Sequence, residues 1–416
     1  MLYHAYEMTH AALSPMRAAA QLGRESLQSP MNPFASSYGA RATAAAFEMF
    51  ISATRRYGKP EFEIDVVEVN GVPTPIVEEV TLSLPFCDLL HFRRDTPAAK
   101  RRKDPKLLII APMSGHYATL LRGTVEAMLP EHDVYITDWT DARDIPLSVG
   151  TFGLDDYVDY LIKFCEILGA GGERPAVLAV CQPGVPMMVA STLMSERGEA
   201  YRPSTVTLMG TPVDTAINPK GPNELATSHP LSWFENNVVV TVPWPNKGFM
   251  RRVYPGFLQL SGFMTMNMER HMDAHVTQFH NLTKGDGDSA EAHNKFYDEY
   301  NAVMDLSADF YLETIERVFQ NRLLAQNAYD YRGQRIDTAK VVDTAYMTIE
   351  GEKDDITGLG QTEAALHLLT GLPDDMKNHY VQEGVGHYGV FNGRRWRTEI
   401  QPRLRDFIRK HRSVKA

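Results

Sequence analysis

The chain has 416 residues, with 42 Lys and Arg against 52 Asp and Glu, a formal charge of −10. Hydrophobic residues at 44% and charged ones at 23%, with Gly and Pro scattered, describe a globular chain and exclude disordered and fibrous classes. An acidic balance with one short basic cluster, Lys100 to Lys103, argues against a nucleic-acid binder, and the cluster reads as a solvated loop.

From Leu2 to about Tyr57, Ala, Met and Phe recur at helical spacing and break near Ser29 to Pro33, which predicts two helices. Beyond Pro60 the pattern becomes strand-like, Ile64 to Val69 and Ile76 to Leu84, around an Asn70-Gly71 turn. An antiparallel pair at a sheet edge is expected. From Lys106, short apolar runs alternate with helical stretches, as in a parallel sheet covered on both faces. The runs are 107–111, 134–138, 176–180, 206–209, 345–349 and 379–382. The helical stretches are 155–168, 185–196, 362–370 and 395–410. The alternation stops between about Val213 and Arg335, an interval better filled by an inserted cap than by a loop. The expected division is an N-terminal helical extension at 1–60, a core at 61–213 and 336–416, and a cap at 214–335. No run reaches the roughly 18 apolar residues of a membrane span. Glu7 and Arg17 in the first thirty residues do not read as a secretory signal. Three cysteines form no pairing framework and suggest a reducing compartment.

The most informative stretch is Ala176 to Gly184, an apolar strand that ends in Cys181 and passes at once into a helical pattern. Strand, nucleophile, helix is the arrangement of the G-x-S-x-G elbow, where small flanks let strand and helix pass close together. Here the flanks are Ala179 and Pro183, and Pro suits a first helical turn. A core cysteine ending a strand is the plainer reading, but two later segments weigh against it. Gly351-Glu352-Lys353-Asp354-Asp355-Ile356 follows a strand and carries carboxylates. Gly386-His387-Tyr388-Gly389 places a histidine after the last strand. Cys, Asp, His is the chain order of α/β-hydrolases, so the expected fold is that of an α/β-hydrolase with a large cap and an N-terminal helical extension.

The chemistry requires each type. A thiol needs an imidazole to take its proton, and the imidazole needs a carboxylate to fix its tautomer and stabilise its cation. Cys181 is the expected nucleophile, His387 the base and Asp354 the orienter, with Asp355 as rival. The oxyanion needs two amide donors, one from Gln182 and the other from Met113 or Ser114 in the loop after the 107–111 strand. Within the cap, Trp233, Phe234, Trp244 and Phe249 stand among closely spaced methionines, which suits an apolar acyl pocket. His116 is a further substrate candidate, although a loop histidine bonded to backbone is the plainer reading. His271 and His275, at i and i+4, resemble a zinc pair but lack the adjacent Glu and an evident third ligand, so no metal is expected.

Val180-Cys181-Gln182-Pro183-Gly184, Pro112-Met113-Ser114-Gly115-His116-Tyr117, Thr137-Asp138-Trp139, Gly351 to Ile356 and Gly386 to Phe391 together resemble the intracellular poly(3-hydroxybutyrate) depolymerases over nearly the whole chain. The resemblance implies a bacterial cytoplasmic hydrolase acting on amorphous storage granules through a Cys, Asp and His triad at Cys181, Asp354 and His387. It implies no resident cofactor, although coenzyme A could accept the acyl group in place of water. The granule polymer is the expected partner, and a homodimer is compatible. The related polyhydroxyalkanoate synthases place the nucleophile in G-x-C-x-G and a His after the catalytic Asp. Ala179, Pro183 and Asp355 depart from both. A synthase-like acyltransferase and a non-catalytic granule protein are the alternative readings.

Overall fold

A computed structural model describes residues 2–412. The first residue of the expected extension, the last four of the second core segment and the Lys100 side chain of the basic cluster lie outside the described residues.

The chain first leaves its helices for a hairpin, β1 (Val66–Val69) and β2 (Val72–Leu84). Asn70 and Gly71 connect them with φ of 53° and 77°. Two consecutive positive φ values make the tight turn whose twist matches that of paired strands, which is why Asn-Gly signals it. β3 (Cys87–Arg94) pairs antiparallel with β2 and extends the expected edge pair to three strands. Sequence reading passed over this strand because Asp88, His91 and Arg93 interrupt its apolar residues. Those three face partly outward, while Leu89, Phe92 and the aliphatic Leu90 are buried.

The parallel part follows with β4 (Lys106–Ile110), β5 (Asp133–Trp139), β6 (Ala176–Val180), β7 (Thr205–Met209), β8 (Ala345–Gly351) and β9 (Lys377–Gln382). The nine strands lie in the order β1-β2-β3-β5-β4-β6-β7-β8-β9, with β3 antiparallel to β5 and every pair from β5 to β9 parallel. Helices cover both faces of such a sheet, so its central strands are continuous apolar runs: β6 and β7 are buried at every position. Mixed order, with antiparallel strands leading into a parallel sheet and helical crossovers between, is the α/β-hydrolase architecture that the alternation predicted.

The interval between β7 and β8 contributes no strand to this sheet, as expected. It holds short helices at Gly221–Ser228 and Leu231–Asn237 and a small antiparallel sheet of Val240–Thr241, Arg252–Tyr254 and Leu306–Ser307. With α1 (Leu2–Gln28), α2 (Tyr38–Thr54), α3 (Leu154–Gly169) and α4 (Gly184–Glu196) preceding it, the insert adds α5 (Gly256–Met266), α6 (Met268–Lys284) and α7 (Gly287–Tyr300). The N-terminal helices dock on this insert. The α2 helix packs on α6, Tyr6 stacks on Phe257 at 4.2 Å, and the Tyr3 hydroxyl donates to Asp305 at 2.7 Å. Extension and cap thus form one layer over the carboxyl ends of the strands. No helix among the described residues is long and apolar enough to cross a membrane.

Candidate active site

Cys181 sits at the sharp turn between β6 and α4 with φ of +67°, in the left-handed region that a non-glycine residue rarely adopts. Such strain persists only where the surroundings over-determine it. Here the Cys181 N–H donates to the Met209 carbonyl of β7 at 2.7 Å, and Gly184 N–H closes the turn on the Cys181 carbonyl at 3.2 Å. Pro183 has φ of −66° and begins the helix, the role its missing N–H allows. The residue that must be small is Gly184: a Cβ there would stand 2.3 Å from Thr211 Oγ1. Sequence reading assigned the close approach to Ala179 and Pro183, one position short on the helix side. The sulfur itself is half-buried, unlike Cys87 and Cys165 in the core. Burial pushes the Cys165 thiol up to about 12, which makes it an inert group.

Asp354 follows β8 and is almost wholly buried. Its Oδ1 accepts N–H bonds from Ile356 at 2.9 Å and Thr357 at 2.8 Å, leaving Oδ2 for the His387 Nδ1 at 2.7 Å. Asp355 is exposed and accepts a hydrogen bond from the Asn267 amide at 3.4 Å. The pairing therefore joins His387 to Asp354, not to its rival. The two loops are stitched together by Glu352 N–H to Gln382 O at 3.0 Å and Lys353 N–H to Val385 O at 2.9 Å. Glu350, buried in β8, collects the N–H groups of Gly360, Thr362 and Glu363 and so anchors the segment beyond Asp354. Gly210, with φ of +55°, makes room for the ring. A Cβ there would lie 2.9 Å from His387 Cε1.

Burial alone would lower the pKa of His387. The Asp354 carboxylate and the adjacent Cys181 sulfur, both within hydrogen-bonding reach of the ring, outweigh it and hold the imidazolium well above its usual value. A buried imidazole made more basic by a carboxylate is suited to take the proton of a neighbouring thiol.

Cys181 and His387 open into a cavity of about 380 Å³. Met113, Ser114 and Gln182 line it as well, and their backbone N–H groups have no acceptor among the described residues. The remaining wall is apolar, including Leu225, Phe234, Phe263, Met266, Phe310 and Phe319, with Tyr254 stacked on Tyr311 at 4.0 Å. No Asp, Glu, Lys or Arg lines it. A neutral apolar chain with ester groups fits such a wall, which offers no Lys or Arg to a phosphate or carboxylate.

Residues 210–412 match the family model described as PHB de-polymerase C-terminus. That half of the chain belongs to the PHB depolymerase family. A comparison with curated proteins returns no match. Among solved structures, a soluble variant of monoglyceride lipase from Saccharomyces cerevisiae, in complex with a substrate analogue, is 12% identical, with a TM-score of 0.48 over 84% of this chain and 98% of that one. The 2-hydroxy-6-oxo-6-phenylhexa-2,4-dienoate hydrolase from Rhodococcus sp. strain RHA1 is 13% identical, with a TM-score of 0.41 over 81% and 99%. Scores at this level leave the fold to the strand order and the elbow. Together with the family match, these make the chain a carboxylic ester hydrolase, an ester-hydrolysing depolymerase with an α/β-hydrolase core.

Of Trp233, Phe234, Trp244 and Phe249, Phe234 faces the depolymerase cavity, as do Tyr254 and Phe263 of the same apolar segment. Trp233 packs on His229 and Phe234, while Trp244 and Phe249 are exposed. The correction has a physical reason: composition marks a segment as apolar, but which residues face inward depends on how its short helices turn. The other lining residues of the cap come largely from α5 and from Phe310 to Phe319. A periodicity was available in α5, where Gln259, Gly262, Phe263 and Met266 face the Cys181 cavity. The other side of α5, Phe257, Leu260, Ser261 and Met264, faces a second cavity of about 790 Å³ beneath the N-terminal helices. That explains a helix apolar all round.

His116 is bonded to backbone, as the plainer reading expects, and also borders the cavity. Its Nε2 meets the Tyr300 carbonyl at 3.0 Å, and its ring lines the cavity beside Phe263. Burial draws its pKa down to about 4, so it stands neutral. The His271 Nδ1 meets the Tyr297 hydroxyl at 2.9 Å, and His275 packs against His293 and Tyr297. No group of three or more His, Cys, Asp or Glu converges as a metal site among the described residues.

Proposed function

We propose that the protein cleaves poly(3-hydroxybutyrate) through an acyl-thioester on Cys181. The observation that carries this reading is the Cys181–His387–Asp354 chain opening into an uncharged apolar cavity, in a chain whose C-terminal half is that of the PHB depolymerases. Cys181 Sγ attacks the ester carbonyl carbon after its proton passes to His387. The carbonyl oxygen takes up negative charge against the amides of Gln182 and of Met113 or Ser114. On collapse the C–O bond breaks, and His387 returns its proton to the departing hydroxyl oxygen. Water, deprotonated by the same ring, then attacks the thioester and frees the acid and the thiol. Asp354 holds the ring with Nδ1–H toward itself, leaving Nε2 for the sulfur.

A thioester retains the activation of its acyl group, so coenzyme A is a chemically competent acceptor in the second step. The uncharged wall admits its thiol-bearing arm but requires the phosphates to remain outside. The test is incubation of amorphous poly(3-hydroxybutyrate) granules with the wild type, Cys181→Ala and Cys181→Ser, with and without coenzyme A. Release of 3-hydroxybutyrate, its oligomers or 3-hydroxybutyryl-CoA by the wild type, and not by Cys181→Ala, is the expected result. Undiminished breakdown by Cys181→Ala would sink the covalent mechanism. Polymer made from 3-hydroxybutyryl-CoA would move the protein to the acyltransferase class.

A further inference from the structure

An apolar cavity explains how one segment of polyester is held, but not how a water-insoluble chain reaches it. Met266 is the last residue of α5. It lines the cavity and is also 44% exposed, opposite Leu225, which lines the cavity at 50% exposed. These two side chains mark the mouth. From there the chain turns at Asn267 into α6, where Met268, Met272 and Val276 follow at i, i+4 and i+8. They are 54%, 62% and 57% exposed. Residues spaced by four share one helix face, so the three form a row that begins at the cavity mouth and runs outward along α6.

Nothing among the described residues covers that row. Gln278 is buried on another face of α6, and the helix packs on α2 and α7. An amphipathic helix on a globular protein ordinarily turns its apolar stripe to the core. Here Met268, Met272 and Val276 are exposed to solvent, with the exposed Glu269 and Asp273 flanking them on the same side of the helix. Contiguous exposed apolar surface beside a ligand cleft marks an interaction site.

We propose that the row Met268–Met272–Val276 is the landing surface for the amorphous polyester, from which a chain segment passes between Met266 and Leu225 to Cys181. This rests on the depolymerase reading of the cavity. Three features argue for that occupant. The row is continuous with the cavity, so whatever lies on it is delivered to the sulfur. Its three side chains are themselves uncharged, which matches a polymer whose only polar groups are esters. Two of its three side chains are thioethers, unbranched and adaptable, suited to a surface with no regular shape.

The experiment compares wild type, the triple variant Met268→Ser/Met272→Ser/Val276→Ser, and the control Met8→Ser/Met16→Ser/Leu22→Ser, which alters exposed residues of α1 elsewhere. Each is assayed for sedimentation with amorphous poly(3-hydroxybutyrate) granules, for granule hydrolysis, and for hydrolysis of a soluble butanoate ester. The α6 variant is expected to lose granule binding and granule hydrolysis by about tenfold or more, while its soluble-ester rate stays within about twofold of wild type. Granule binding by the α6 variant equal to wild type, or a loss confined to the α1 variant, overturns the proposal. Cys181→Ala separates this from the underlying reading. It should still bind granules, while activity retained on both substrates would defeat the depolymerase mechanism itself.

Discussion

The two walls of the cavity are built in opposite ways. The sheet-side wall is over-determined: Cys181 is tied to β7, Asp354 accepts two backbone N–H bonds besides its histidine, and Glu350 anchors the loop beyond. The cap-side wall is held by contacts between apolar side chains, and α5 has cavities on both of its faces. Proton transfer tolerates little misplacement, whereas dispersion contacts to a flexible chain tolerate much. The chemistry therefore lies where backbone hydrogen bonds converge, and the binding surface where they do not.

The largest test of this contrast is Cys181→Ala, expected to lower soluble-ester hydrolysis by about four orders of magnitude with thermal unfolding unchanged, because the sulfur is only half-buried. Next comes the carboxylate. Asp354→Asn is expected to cost about a thousandfold in kcat, and Asp355→Asn less than about twofold, in parallel steady-state assays. The same variant carries a pH signature. The Asp354 charge raises the pKa of folded His387, so its stabilising contribution is full below the ordinary histidine value and is lost as pH rises through the raised one. Urea unfolding should then show wild type and Asp354→Asn differing most in mild acid and converging in alkali. A gap that widens with pH would contradict the pairing.

Gly210→Ala is a test one size smaller. It forces a Cβ against His387 Cε1 at a positive φ, and a loss of about a hundredfold in kcat with little change in KM is expected. On the cap side, Phe263→Ala should raise KM for a soluble ester about three- to tenfold and leave kcat nearly alone, and Trp244→Ala should change neither. Equal sensitivity of kcat on both walls would erase the distinction.

The smallest effect on catalysis, though not on stability, is the acid response. His116 and His132 are buried neutral with pKa drawn down to about 4. A depressed histidine disfavours the folded state as pH falls, because the unfolded chain takes up the proton first. Stability should decline between about pH 6.5 and pH 4, by roughly 3 kcal/mol for each ring. His132→Phe, measured by urea unfolding at pH 7 and pH 5, should flatten that slope.

By itself, the sequence determined the parallel sheet, the elbow and the chain order of Cys181, Asp354 and His387. These are local: five-residue apolar runs, an Asn-Gly turn, a strand ending in Cys before a helix, and a histidine between glycines each carry their own signal. It also placed an insert between β7 and β8. Tertiary structure alone decided what depends on two distant segments meeting. That includes the bond that joins the Asp354 carboxylate, the one the sequence favoured over Asp355, to the His387 ring, and the need for glycine at 184 and 210, set by Thr211 and His387 approaching from elsewhere. It also includes the cavity wall, where Phe234 faces in and Trp233, Trp244 and Phe249 do not. Apolar composition fixes how much surface seeks shelter, but its direction is fixed only when the helices of the cap and of the N-terminus pack together, since burial is a property of the partner as much as of the residue.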